Sequence, residues 1–180
     1  MKTEFSLPNE SNHLLIADTL VIPEIIELAY TYEKDPNIDE LFRNSNFAHL
    51  IEQSPKIVNI DGVQLLEQIQ KKQLLRSSSV LFSYGSDTSQ DEIINHLQNL
   101  LTVHVGDNLV FFRFYSSLFW IKNAKHISEQ DKVSILGPCH SLSWFNDEGE
   151  YQKLSLPQSV IPETPPHPYR FTSSCFLEQM

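Results

Sequence analysis

Residues 79–115 read SVLFSYGSDTSQDEIINHLQNLLTVHVGDNLVFFRFY. SVLFSY is apolar with little alternation, the pattern of a central strand covered on both faces. GSDTS follows as a turn, and Ser89 and Glu92 have the spacing of a capping box. The helix this box opens, over about 90–100, carries Ile93, Ile94, Leu97, Leu100 and Leu101 on one stripe. LTVHV and LVFFRFY then flank Gly106-Asp107, and glycine first in a two-residue turn is the type II′ hairpin signature. A strand, a capped helix and a hairpin in succession set the expectation of a sheet with helices packed on it.

The flanking sequence extends the same pattern. HLLIADTL (13–20) reads as a first, buried strand. Pro23 then opens a helix through PEIIELAYTYE, since a proline in the first turn loses no hydrogen bond. Asp35-Pro36-Asn37 stops that helix. A short helix is expected at 38–43 with Leu41 and Phe42 inward, and a helical turn at 47–53. KIVNI (56–60) reads as a strand, and a helix over 62–75, capped by Asp61, should bury Val63, Leu65, Leu66 and Ile69. Lys71, Lys72 and Arg76 fall where that helix ends, where cations complement the helix dipole. Further on, Ser128 is a candidate cap for a helix near 128–135, and SLSWFN and EYQKLSL flank Asp147-Glu148-Gly149 as a second hairpin. The proline-dense SVIPETPPHPYRFTSS is excluded from helix interiors and central strands, and is expected to be an extended arm or a disordered tail. The fold class is therefore α/β in the mixed α+β sense: a mixed sheet flanked by helices, closing hairpins and a proline-rich C-terminal arm. The expected organisation is an N-terminal extension over 1–12, one domain over 13–156 and the arm over 157–180.

Hydrophobic residues make up 41% of the 180, enough for a packed core, so disorder of the whole chain is not expected. A net charge of −10 argues against nucleic acid or an anionic membrane as the main partner. Cys139 and Cys175 form no CxxC pair and imply no disulfide framework, which fits a reducing compartment. The first residues lack the apolar core of a signal peptide, and no apolar run approaches the ~20 residues of a membrane span. A soluble, cytoplasmic protein is expected.

Enzyme signatures are sparse. GxSxG, P-loop and GxGxxG patterns are absent, and the seven histidines show no metal-ligand spacing. No cofactor and no metal are expected. The sharpest catalytic idea is Cys139 in GPCHS, next to His140, as a nucleophile. Neighbours on a strand point opposite ways, however, and cysteine is commonly just a small buried residue. In 109–115, Leu109, Phe111, Arg113 and Tyr115 share one strand face, while Val110, Phe112 and Phe114 share an apolar face assigned to the core. Two readings of Arg113 stand side by side. It pairs with a helix carboxylate or carbonyl and lays its stem on Phe111, or it belongs to an aromatic–arginine patch that grips another protein.

The run from Ser77 to Pro138 resembles the central part of the bacterial type VI secretion effector chaperones, also called adaptors. The resemblance is carried by the strand–helix–strand–turn–strand order and by the phenylalanine-arginine-aromatic-tyrosine pattern of Phe112, Arg113, Phe114 and Tyr115. It extends to ILGPCHSLSW and to the start of the domain, where an alanine-aspartate strand end (Ala17-Asp18) and a leucine-phenylalanine pair (Leu41-Phe42) recur. It covers about 14–146. The family usually has aspartate-proline where Ser116-Ser117 stand, and many members carry a longer helical C-terminal lobe. The resemblance implies a non-catalytic protein in the cytoplasm of a Gram-negative bacterium. Such a protein binds a cognate secreted effector, often by its N-terminal region, and helps to load it onto the VgrG spike. Arg113, Tyr115, Phe119 and Trp120 are the candidate effector-contacting residues. The alternatives are an immunity-type or regulatory binding protein, or a small Cys/His-dependent enzyme.

Overall fold

The computed structural model describes residues 6–8 and 10–177. Its frame is a six-stranded sheet of β1 (Ser11–Ala17), β2 (Ile38–Glu40), β3 (Lys56–Asn59), β4 (Ser79–Gly85), β7 (Ser141–Phe145) and β8 (Tyr151–Ser155), in the order β2-β3-β1-β4-β7-β8. All its pairings are antiparallel. A smaller sheet contains β5 (Thr102–Val105), β6 (Asn108–Phe111) and β9 (Arg170–Phe171), in the order β6-β5-β9. Its β5–β9 pair is parallel. The mixed α+β class read from the sequence therefore holds.

The period of two in the strands divides the core into layers. Leu15 and Ala17 of β1 and Leu81 of β4 join a cluster with α1 (Ile25–Tyr32), α2 (Gln64–Lys71) and α3 (Gln73–Ser77). Leu14, Ile16, Val80, Phe82 and Tyr84 point the other way. They meet α4 (Gln90–Leu100), the β5–β6 hairpin, α5 (Ser117–Asn123), α6 (Glu129–Leu136) and α7 (Ser174–Leu177). With both faces covered, β4 is buried from Ser79 to Tyr84, which is why it lacks alternation. α4 and α6 start where the sequence places them, because the Ser89 hydroxyl accepts the Glu92 N–H and the Ser128 hydroxyl accepts that of Asp131.

Several expectations are corrected. Residues 38–40 form an edge strand on β3 rather than the start of a helix. A stretch this short shows no period, and a neighbouring strand with free ladder groups decides it. The helix expected over 62–75 starts at Gln64 without a side-chain cap and breaks at Lys72, whose backbone is extended. Arg76 bridges this break to the second hairpin, donating to the carbonyls of Gln70 at 2.6 Å and Asp147 at 2.8 Å. The strand expected through Tyr115 ends at Phe111, and α5 follows where no helix was assigned.

Residues 156–169 contain neither helix nor strand, and the chain then returns to the core. Tyr169, Phe171, Cys175 and Phe176 are buried. The buried Asp131 carboxylate accepts the N–H groups of Thr172 at 3.0 Å and Ser173 at 2.7 Å, together with the Ser173 hydroxyl. His96, also buried, lies between the Tyr169 hydroxyl at 2.8 Å and the Ile135 carbonyl at 2.9 Å. A carbonyl only accepts, so Nε2 carries the proton and Nδ1 accepts from Tyr169. Gly137 closes over this imidazole with φ +54°, and a Cβ there would collide with the His96 ring.

Candidate protein-binding site

The site grows out of the β5–β6 hairpin. Gly106, at φ +60°, lets the chain reverse in two residues, and Val103 comes to face Val110 across the ladder. β6 has β5 on one side and is the edge of its sheet on the other. Leu109 is 63% and Phe111 42% exposed, the latter leaning on Phe47 with ring centroids 4.7 Å apart. Phe112 instead turns inward and meets the rings of Phe114, Phe119, Trp120, Phe171 and Phe176 at centroid distances of 5.1–6.1 Å. Edge-to-face pairs of this kind add about 0.5–1.5 kcal/mol each beyond burial. The rings therefore join the hairpin, α5 and the C-terminal segment into one body.

Arg113 leaves the strand and reaches back to β1. Its Nη2 lies 2.6 Å from Oδ2 of Asp18, and its guanidinium carbon lies 5.7 Å from the centre of the Tyr115 ring. Oδ1 of Asp18 accepts the Leu20 N–H at 3.0 Å. The arginine side chain is 56% exposed and the aspartate 5%. Burial works against the charge of Arg113, but the hydrogen bond to Asp18 and the nearby Tyr115 and Asp18 outweigh it, and its pKa lies above the ordinary arginine value. The partner is a carboxylate at a strand end rather than on a helix. The two short signatures at Ala17-Asp18 and Phe112–Tyr115 are thus the two halves of one ion pair.

Beside this pair runs a groove of about 320 Å³. Val103, Val105 and Val110 contribute from the hairpin, Leu118, Phe119 and Lys122 from α5, and Phe176 from α7, with Arg113 at its margin. Leu118 is 48% exposed. Of the four residues singled out in the sequence, Arg113 and Phe119 both line this groove. Tyr115 and Trp120 do not; both are buried behind it. Trp120 donates its indole N–H to the Phe114 carbonyl at 2.6 Å, and burial raises the Tyr115 pKa. Neither ring has surface to offer a partner in this conformation. Leu118 and Lys122 were missed because they mark a groove wall only through their i, i+4 spacing on α5, a helix the sequence reading did not assign.

Cys139 is fully buried, and burial, helped by the charge of Glu92, pushes its thiol pKa up. A thiol in such surroundings is inert toward electrophiles. His140 does not face it; its ring nitrogens lie 2.9 Å from the Ser11 hydroxyl and 3.2 Å from that of Ser141. Among the described residues no group of three His, Cys, Asp or Glu side chains is placed to hold a metal ion, and no helix is long and apolar enough to cross a membrane.

Residues 13–131 match the family model described as "Domain of unknown function (DUF4123)". The match spans well over half of the chain, which belongs to this family. The matched span contains both halves of the Asp18–Arg113 pair and most of the groove. No curated protein and no solved structure matches the chain.

Proposed function

We propose that this protein is a non-catalytic adaptor of a type VI secretion system, which holds a secreted effector in the cytoplasm and assists its loading onto the VgrG spike. Membership of a domain family associated with such effectors supports this reading. The observation that carries it is the open groove between the β5–β6 hairpin and α5. Phe111 and Leu118, which line it, stand exposed beside the cations Arg113 and Lys122 on a chain of net charge −10. Clustered exposed apolar side chains with an arginine at their edge are the composition of a protein-recognition surface. Arg113 serves two roles in this proposal: one edge of the guanidinium secures Asp18, and the solvent-facing edge is available to cargo. Phe119 forms the groove wall, and the buried Tyr115 and Trp120 hold that wall in place.

The test is co-purification from the native cell. Tagged wild-type protein should recover a secreted effector and the spike, and Leu118→Asp should lose the effector while melting at the same temperature. Recovery of neither partner by the wild type sinks the proposal. Deletion separates the immunity-type alternative, since losing an adaptor abolishes secretion whereas losing an immunity protein poisons the producer.

A further inference from the structure

The backbone of β6 carries information that its side chains do not. The Phe112 N–H donates to the Leu101 carbonyl at 2.9 Å, and residues 102–105 pair with 111–108 in the same register. In an antiparallel ladder, hydrogen-bonded and non-hydrogen-bonded pairs alternate. Val110 and Asn108 therefore bond to β5, in step with Phe112 on Leu101 just before it, while the N–H and C=O groups of Leu109 and Phe111 point away from β5. The far side of β5 agrees: His104, opposite Leu109, sends its N–H the other way, to the Tyr169 carbonyl at 2.8 Å. Among the described residues, Leu109 and Phe111 thus present open ladder groups along an edge flanked by their own exposed side chains. Natural edges are commonly protected by a proline, a bulge, an inward-pointing charge or a covering element. The run Leu109-Val110-Phe111 carries no charge, proline or bulge.

Resting on the adaptor reading, we infer that the partner binds by adding a β-strand to β6. The occupant is an extended segment with alternating apolar side chains and at least one carboxylate. Its main chain continues the small sheet beyond Leu109 and Phe111. Its inward apolar side chains enter the groove against Leu118 and Phe119. The carboxylate answers Lys122, which lies on the same groove face, is exposed and makes no ion pair among the described residues, while Arg113 holds Asp18 with one edge and keeps only its solvent-facing edge for the partner. Backbone pairing supplies affinity that tolerates sequence, and the groove with its lysine supplies register and selectivity.

Leu109→Pro is the discriminating variant. The Leu109 N–H makes no ladder bond to β5, so proline there leaves the hairpin paired and blocks only the open edge. The probes are fluorescent decapeptides with valine or leucine at every second position, one of those groove-facing positions carrying glutamate and threonine standing between them, the same peptides with lysine for that glutamate, and block-scrambled controls. The full-length wild type should bind the glutamate peptides and reject the scrambled ones. Leu109→Pro should melt as the wild type does and bind at least tenfold more weakly, and Lys122→Glu should reverse the preference toward lysine peptides. The inference is overturned if no alternating peptide binds, if Leu109→Pro binds as well as the wild type, or if the edge proves to pair with a second copy, seen as a dimer that Leu109→Pro dissolves. Effector capture keeps the two readings apart. A Leu109→Pro protein that still recovers the effector removes strand addition and leaves the adaptor standing. A wild type that captures no secreted protein removes the adaptor, and the peptides then decide the edge alone.

Discussion

Acid should loosen this fold through His96. Burial lowers its pKa from 6.5 to about 4, only partly offset by the bond to the Ile135 carbonyl. The unfolded chain therefore binds a proton between those values that the folded chain refuses. Linkage gives the sign: where the unfolded state holds more protons, stability rises with pH, so it falls as the solution is acidified through this window. Each pH unit of difference corresponds to about 1.4 kcal/mol, so neutral His96 contributes about 3 kcal/mol at neutral pH relative to strongly acidic solution, and about 2 kcal/mol of that is gone by pH 5. His13 and His140, also lowered first by burial, act in the same direction, so the informative quantity is a difference. Urea unfolding of the wild type and of His96→Gln, measured between pH 7.5 and 4.5, should show a wild-type slope steeper by about 2–3 kcal/mol over the range. Because Nδ1 accepts from Tyr169, the amides of residues 169–173 should gain hydrogen exchange ahead of β4 as the pH falls. Equal slopes for the two proteins would refute the reasoning, since no proton uptake would then be tied to this imidazole.

Asp131→Asn removes a carboxylate oxygen and a charge from the clamp on Thr172 and Ser173, and should cost about 1–3 kcal/mol. Trypsin should then cut after Arg170 in the variant while sparing the wild type, in which that residue is paired in β9. A double-mutant cycle of Asp18→Asn and Arg113→Met should return a coupling of about 1–2 kcal/mol, below that of a fully buried pair because the arginine is half solvated. Cys139 and Cys175 are both buried, so a thiol reagent should label neither in the native protein and both in guanidinium.

Much of the frame was legible locally. The Ser89 and Ser128 caps, the Gly106-Asp107 turn and the buried run of β4 each depend on side chains within a few residues of one another. Phe112 and Phe114 are buried as expected, but the strand ends at Phe111 and Tyr115 is buried beside them, so it is the packing of the turn into α5, not alternation, that buries them. Local signals failed where a distant neighbour set the outcome. β2 exists because β3 offers it a ladder, and the expected strand stops at Phe111 because Arg113 turns toward Asp18, 95 residues away in sequence. Tyr115 and Trp120 read as surface aromatics until the turn into α5 placed them behind the groove.

Near-neighbour patterns were enough for the mixed α+β class, the capped helices, the hairpins and an arginine among aromatics that required a partner. The identity of that partner, Asp18, and the side of the aromatic stretch that faces solvent came from packing across the fold. Helix caps and strand alternation are written in contacts between near neighbours. An ion pair, a groove wall and an open sheet edge depend on which distant segments the packed core brings together, and no window of sequence contains both sides of such a contact.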